Sequence, residues 1–240
     1  MYPKIKMVVL DMAGTTVNEN NLVYKTLMNA IHVAGFCITL DQILAIAAGK
    51  EKKEAIRAVL QTYEGSFDEE MVLTIYQEFI EKLSEAYQTE EILPQPGAIE
   101  LFEILRKEDI ISILNTGYDR ATAEAILKKL GWKAGADFDT MITASEVKRN
   151  RPEPDMVLLA MKQHGITDGQ SVVKIGDSGI DIEEGKNAGC RLSIGITTGA
   201  HTRKQLEAAK PDAVIDHLMD VLPLIKNRSS QKVQDAVAGE

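Results

Sequence analysis

Ile5-Lys6-Met7-Val8-Val9-Leu10-Asp11-Met12-Ala13-Gly14-Thr15-Thr16 runs from an apolar, β-branched stretch into an acidic residue and a glycine. Such a run, closed by turn residues, marks a fully buried strand that feeds a loop. Similar short runs recur at Ile110–Leu114, Met141–Thr143, Val172–Ile175, Leu192–Ile196 and Ala213–Ile215. Helical patterns separate most of them: Ala98, Leu101, Phe102 and Leu105, and again Ala123, Ile126, Leu127 and Leu130, fall at helical spacing. Strands alternating with covering helices predict an α/β fold with a Rossmann-like core built on a parallel sheet.

Residues 18–93 interrupt the alternation. They hold helical stretches, with Val72, Ile75, Tyr76 and Phe79 on one face, and no strand is expected among them. They end at Pro94-Gln95-Pro96-Gly97, a stiff connector in which proline disfavours helix at the preceding residue. The predicted organisation is a core of residues 1–17 and 94–226, a small all-helical cap of residues 18–93 inserted after the first strand, and a polar, aperiodic tail at 227–240 expected to be mobile.

Bulk properties narrow the partners. The 240 residues carry a net charge of -9, and no Lys/Arg cluster stands free of acidic neighbours, which argues against nucleic acid and for a small-molecule substrate. Cys37 and Cys190 are too few for a disulfide framework and suit a reducing cytoplasm as small hydrophobes. No stretch of about 18 apolar residues and no charged leader occurs, so neither membrane insertion nor export is expected. A homodimer stays open.

In an open parallel sheet, ligands bind beyond the carboxyl ends of the strands. Four loops at such positions are unusually polar: Asp11 to Thr16, Asn115-Thr116-Gly117-Tyr118, Arg149-Asn150-Arg151-Pro152, and Gly176-Asp177-Ser178-Gly179-Ile180-Asp181. They are expected to converge on one pocket. Asp-x-x-Gly-Thr at Asp11, a lone Thr116 before glycine, Arg151 before proline and Gly-Asp-x-x-x-Asp resemble, in order, the four motifs of haloacid dehalogenase-like hydrolases, over nearly the whole chain. The resemblance implies a Rossmann-like core with a mobile cap.

Chemistry assigns the roles. A carboxylate at Asp11 can attack phosphorus and form an aspartyl-phosphate, splitting one displacement into two. Two anions repel, and Mg²⁺, which takes a few oxygen ligands and keeps waters, suits the task of neutralising them. By similarity its ligands are Asp11, the carbonyl of Ala13 and Asp177. Asp181, four residues on, serves as a further ligand or, in the preferred reading, orients the ligands from behind. Thr116 and the Gly117 amide are expected to bond phosphoryl oxygens, and Arg151 to hold transition-state charge. Asp119 is expected to cap the following helix.

Most phosphatases and mutases of this superfamily carry a second Asp two residues after the nucleophile as general acid and base; here that position is Ala13. Losing such help typically slows a reaction by about 10²–10⁴, so the leaving group must be unusual. Asp-x-Ala-Gly-Thr-Thr looks like the phosphonatase signature, in which a carbon–phosphorus bond is cleaved while a cap lysine forms a Schiff base with an aldehyde. Gly49-Lys50-Glu51-Lys52 has that lysine's spacing at Lys52, and Thr116-Gly117-Tyr118 also looks like that family, which adds Tyr118 as a substrate-binding candidate. Neighbouring cations and desolvation are expected to lower the Lys52 pKa; the alternative is a solvated helix face. Ala48 and Ala55 stand where phosphonatases have Met and His, and the cap Cys near Asn21 is absent. The expected function is Mg²⁺-dependent, phosphonatase-like hydrolysis of a small phosphonate or phosphorylated metabolite. Its rivals are an acyl or aryl phosphatase, a dehalogenase, disfavoured by Asp177 and Asp181, and a binding protein that keeps a phosphoryl group on Asp11.

Overall fold

The computed structural model describes residues 3–63, 65 and 67–227; the tail expected at 227–240 lies, past Asn227, outside them. In chain order the elements are β1 (Met7–Asp11), β2 (Val17–Asn18), α1 (Leu22–Val33), α2 (Leu40–Ala47), α3 (Lys52–Tyr63), α4 (Glu69–Thr89), β3 (Leu93–Pro94), α5 (Ala98–Lys107), β4 (Ile111–Thr116), α6 (Arg120–Leu130), β5 (Thr140–Thr143), α7 (Asp155–Gln163), β6 (Val172–Gly176), α8 (Gly179–Asn187), β7 (Leu192–Ile196), α9 (Arg203–Ala208), β8 (Ala213–Ile215) and α10 (Val221–Asn227). Six strands form one parallel sheet in the order β5-β4-β1-β6-β7-β8. The chain winds outward from β1 to one side through β4 and β5 and then to the other through β6, β7 and β8, so β1 sits at the reversal where α/β sheets bind ligands.

All five β1 residues are buried because both faces of the sheet are covered. Met7 and Val9 pack with Met156, Val157 and Ala160 of α7 on one face. Val8 and Leu10 point to the other face, into a cluster that takes in Leu101, Phe102 and Leu105 of α5 and runs on into the cap. This two-sided burial is why the strand reads as a continuous apolar run rather than an alternating one.

Helices α1 to α4 form the cap, inserted after the first strand, with α1 packed on α4 and α2 on α3. Their ends are fixed locally: Thr39 and Gln42 form a reciprocal capping box on α2, and Asp68 accepts the Met71 amide at 2.8 Å. One expectation needs correction. The insert is not free of strand at its borders, because β2 and β3 pair antiparallel, Val17 with Pro94 and Asn18 with Leu93, and clasp its two connections together. Two-residue strands carry no periodic signal, and a proline reads as a breaker although a short edge ladder tolerates it. Cys37 and Cys190 are both free, but Cys37 is exposed rather than lodged among apolar neighbours.

Asp119 caps α6 as expected, accepting the Thr122 amide at 2.8 Å and its hydroxyl at 3.0 Å. Asp119→Ala should therefore lower the unfolding free energy by about 1 kcal/mol, measured by urea denaturation; an unchanged midpoint would show that the cap contributes nothing.

Candidate active site

The four polar loops meet at the carboxyl edge of the sheet. Asp11 closes β1, Thr116 closes β4, Asp177 follows β6, Asp181 lies in the first turn of α8, and Arg151 enters from the segment between β5 and α7; all five are buried. Arg151 is the hub. Its Nη1 lies 2.7 Å from Asp11 and 2.9 Å from Asp181, its Nε donates to Glu184 at 2.9 Å, and its Nη2 donates to the Asn115 carbonyl at 2.9 Å and to the Asn115 side chain. Burial opposes its charge, but Asp181, Asp11 and Glu184 outweigh that and hold the guanidinium above its ordinary pKa.

Three carboxylates, Asp11, Asp177 and Asp181, each place an oxygen within 4.8 Å of the others. They are not equivalent. Asp181 accepts Lys174 Nζ at 2.8 Å and the Ser178 hydroxyl, and although burial works against its charge, Arg151 and Lys174 hold its pKa below the usual range. Burial pushes the Asp11 carboxyl up to about 6, with Asp181 adding to the rise and Arg151 opposing it. Asp177 is raised well above its ordinary value by burial and then by Asp11 and Asp181. Counting Glu184, four buried carboxylates face the buried cations Arg151 and Lys174, an excess of two negative charges. That excess, with two strained anions side by side, fits a divalent cation on Asp11 and Asp177 with Asp181 behind them.

The backbone is shaped to the same end. A Cβ at Gly14 (φ +78) or at Gly199 would run into the Asp177 carboxylate, which accepts the Ala200 amide at 2.6 Å. The Thr15 hydroxyl, in the loop after Asp11, is buried with no partner among the described residues. Thr116 Oγ1 accepts the Tyr118 amide at 3.2 Å, which leaves its own proton available to a phosphoryl oxygen. Ala13 is half-buried beside Asp11 and supplies only backbone.

The cap is closed over this edge. A Cβ on Gly117 would lie 2.9 Å from the Gly49 carbonyl oxygen and 3.0 Å from that of Lys50, so Gly117 is where the cap loop lies on the core. Gly49 (φ +73) abuts Ser178 and Ile180, and its amide donates to the Tyr24 hydroxyl at 2.9 Å. Lys52 is only 6 % exposed, which removes the solvated-face reading. Its Nζ lies 5.3 Å from the Tyr24 ring centre and 5.1 Å from that of Tyr118, and donates to the Lys50 carbonyl at 3.0 Å. Burial lowers its pKa to about 8 against the opposing charges of Glu51, Asp11 and Glu19.

Sequence reasoning passed over Lys174, Glu184, Glu19 and Tyr24, and it placed Asn115 in a pocket loop without a role. A signal existed for the first two: Lys174 is a charge within the otherwise apolar Val172–Ile175 strand, and Glu184 follows Asp181 by three residues, on the same helical face.

The profile of the haloacid dehalogenase-like hydrolases matches residues 8–196. The chain belongs to this family. Its curated relatives include a phosphonoacetaldehyde hydrolase of Latilactobacillus sakei, 32% identical over 80% of this chain and 75% of that one. "Probable phosphatase IndB" of Dickeya dadantii is 28% identical over 90% of this chain and 91% of its own. Among solved structures, a phosphonoacetaldehyde hydrolase-like protein from Oleispira antarctica superposes with a TM-score of 0.80 at 23% identity, covering 94% of this chain and 93% of that one. This haloacid dehalogenase-like hydrolase is thus an enzyme of the phosphonatase-like kind in sequence, and its fold is the family's. Among the described residues no helix is long and apolar enough to cross a membrane.

Removing one member of a buried ion network leaves uncompensated charge. Lys174→Met, which strands Asp181 and Glu184, should destabilise this hydrolase by about 3–5 kcal/mol in urea unfolding; a loss of less than about 1 kcal/mol would show that Arg151 alone satisfies both acids.

Proposed function

We propose that this hydrolase is a Mg²⁺-dependent phosphonatase that releases phosphate from a small aldehyde phosphonate such as phosphonoacetaldehyde. The observation that carries the reading is Lys52, a buried amine with a pKa near 8, held between Tyr24 and Tyr118 in a closed site whose electrostatics include Asp11. A desolvated lysine of this kind is partly neutral near neutral pH and can attack a carbonyl. The cap is taken as residues 18–93 and the core as 1–17 and 94–226.

In this reading the Lys52 amine and the substrate aldehyde form an imine with loss of water. The Asp11 carboxylate attacks phosphorus, and the carbon–phosphorus bonding electrons move into the protonated imine, so the leaving group is a neutral enamine rather than an alkoxide. No acid at position 13 is then needed, which accounts for Ala13. Thr116 and the Gly117 amide bind phosphoryl oxygens, and Arg151, pinned by Asp181 and Glu184, holds Asp11 in line and offsets charge that builds on phosphorus. Tyr118 walls the substrate aldehyde beside Lys52. Asp11, the Ala13 carbonyl and Asp177 would hold Mg²⁺, with Asp181 orienting them; when bound, the ion neutralises the facing carboxylate and phosphoryl charges. The enamine takes a proton at carbon to become the product imine, and water finally hydrolyses the aspartyl-phosphate and that imine.

A second reading, a phosphatase for acyl, aryl or other small phosphate esters, is favoured by Ala48 and Ala55 in the cap and by the relative named a phosphatase. Phosphate release from phosphonoacetaldehyde and from an aryl phosphate separates the two. Lys52→Ala should abolish release from the aldehyde phosphonate; if wild-type protein acts only on the ester and Lys52→Ala keeps that rate, the enzyme is a phosphatase. Mg²⁺ at a hundred times its dissociation constant should raise the unfolding free energy by about 2.7 kcal/mol, and Asp177→Asn should remove the rise in melting temperature; equal shifts in both proteins would place the ion elsewhere.

A further inference from the structure

Making an imine from a lysine ammonium requires a group that takes a proton from nitrogen and gives one to the departing hydroxyl. The positions where such a group is expected are Ala13 and Ala55, and neither has an ionisable side chain. Tyr24 and Tyr118 flank Lys52, but burial holds both phenols well above their usual range, so they remain neutral donors. Asp11 and Arg151 are committed to phosphorus and to each other.

Glu51 has the largest charge effect on Lys52, but it is only half-buried and accepts the Glu54 amide at 3.0 Å; Glu19 is the buried carboxylate that remains. It follows β2 at the base of the cap and is 4 % exposed. One of its oxygens accepts the Val23 amide at 2.8 Å, and the other makes no hydrogen bond among the described residues. Its partner Val23 adjoins Tyr24, whose ring lies 5.3 Å from Lys52 Nζ, and the Glu19 charge acts on Lys52 of α3, Lys25 of α1, Asp11 of β1, Tyr24, Tyr87 and Tyr118. Glu19 and Lys52 are not in ion-pair contact; Lys52 donates to the Lys50 carbonyl, which leaves the approach between them to water or to a substrate carbonyl. Glu19 also lines a groove of about 870 Å³ between α1 and α4, together with Lys25 and Glu85. It therefore lies on a route to solvent while its charge reaches the lysine of the closed site.

We propose that Glu19 is the proton carrier for Lys52. The inference rests on the imine reading above. The Glu19 carboxylate takes a proton from the Lys52 ammonium; the freed amine adds to the aldehyde, and a second proton passes from nitrogen to the new alkoxide to give the carbinolamine; the Glu19 carboxyl then returns its proton to the carbinolamine hydroxyl, which leaves as water while the nitrogen lone pair closes the carbon–nitrogen double bond of the protonated imine. Glu19 ends as it began. The same transfers run in reverse when the product imine is hydrolysed.

The pair works only with one proton between them. Burial raises Glu19 to about 7, against the Val23 amide and Lys52, while Lys52 is lowered to about 8. Below the first value the pair holds two protons and the amine cannot form; above the second it holds none and the hydroxyl cannot be expelled. Turnover of phosphonoacetaldehyde should therefore follow a bell with limbs near 7 and 8, which belong to the pair rather than to either residue.

The test is the pH profile of kcat for phosphate release from phosphonoacetaldehyde by wild type, Glu19→Gln and Glu19→Asp. The end point of borohydride trapping of acetaldehyde on Lys52, reached at long incubation where solvent supplies the protons, serves in each protein as the readout of an intact site. Glu19→Gln should lose about 10²–10⁴ in kcat and turn the bell into a single rise with pH, with Lys52 still labelled, and Glu19→Asp should keep the bell. An unchanged kcat and bell in Glu19→Gln overturns the role. So does loss of the Lys52 label together with turnover, because Glu19 would then be structural. A wild type that neither labels at Lys52 nor releases phosphate from phosphonoacetaldehyde removes the imine reading itself, and the carrier with it; a labelled, active wild type beside an insensitive Glu19→Gln removes the carrier alone.

Discussion

A single buried guanidinium holds the reactive edge of this protein together. Arg151 binds Asp11 at the end of β1, Asn115 in β4, and Asp181 and Glu184 in α8, so one side chain joins two strands and a helix. Its strength comes from where it lies. The exposed Arg57–Glu69 pair has a similar 2.8 Å contact, yet water and salt screen such pairs to less than about 1 kcal/mol. Around Arg151 no water is available to replace a lost partner, so the network must stay complete. Lys174, fully buried in the middle of β6, supplies the second cation without which Asp181 and Glu184 would share one charge. The asymmetry among the carboxylates follows: Asp181 is satisfied and fixed, whereas Asp11 and Asp177 are left as reluctant anions free to engage a ligand.

Closure of the cap is the second constraint, and it converts an ordinary lysine into a buried one with a lowered pKa. The cap loop approaches the core within van der Waals distance at Gly117 and at Ser178, and the hydrophobic cluster is continuous from α5 through Tyr118 into the cap. Smaller polar contacts lie at the rim: His201 Nε2 lies 3.3 Å from the Leu44 carbonyl, and Lys129 donates to the Tyr87 carbonyl at 2.7 Å and to that of Glu90, at the end of α4. With the cap in this position Lys52 is buried. Desolvation outweighs the pull of three nearby carboxylates on that amine.

The sheet and its covering helices were legible because burial on both faces imposes apolar runs, and the loops were legible because reactive groups collect at strand ends. Lys52 was found through spacing alone; pattern did not reveal its burial, since GKEKKE looks solvated until α3 is packed against the core. Lys174 and Glu184 went unread for a related reason. Their meaning depends on a partner, Arg151, that joins them only in three dimensions. Glu19 gave no sign at all, since its surroundings are assembled from α1, α3, α4 and two core segments far apart in the chain. The β2–β3 clasp was lost because two residues cannot show a period.

The central position of β1 also sets an order of assembly. This strand is made first, yet its neighbours are β4 and β6, whose residues Ile111 and Val172 come much later in the chain. The cap helices, by contrast, pack on one another within a single continuous stretch that ends at Thr89. Local contacts form faster than distant ones. During synthesis the cap can therefore consolidate while β1, apolar up to Asp11 and without a strand beside it, waits for the rest of the sheet. In this fold the insert that covers the finished site is also the first part able to fold, ahead of the sheet that carries Asp11.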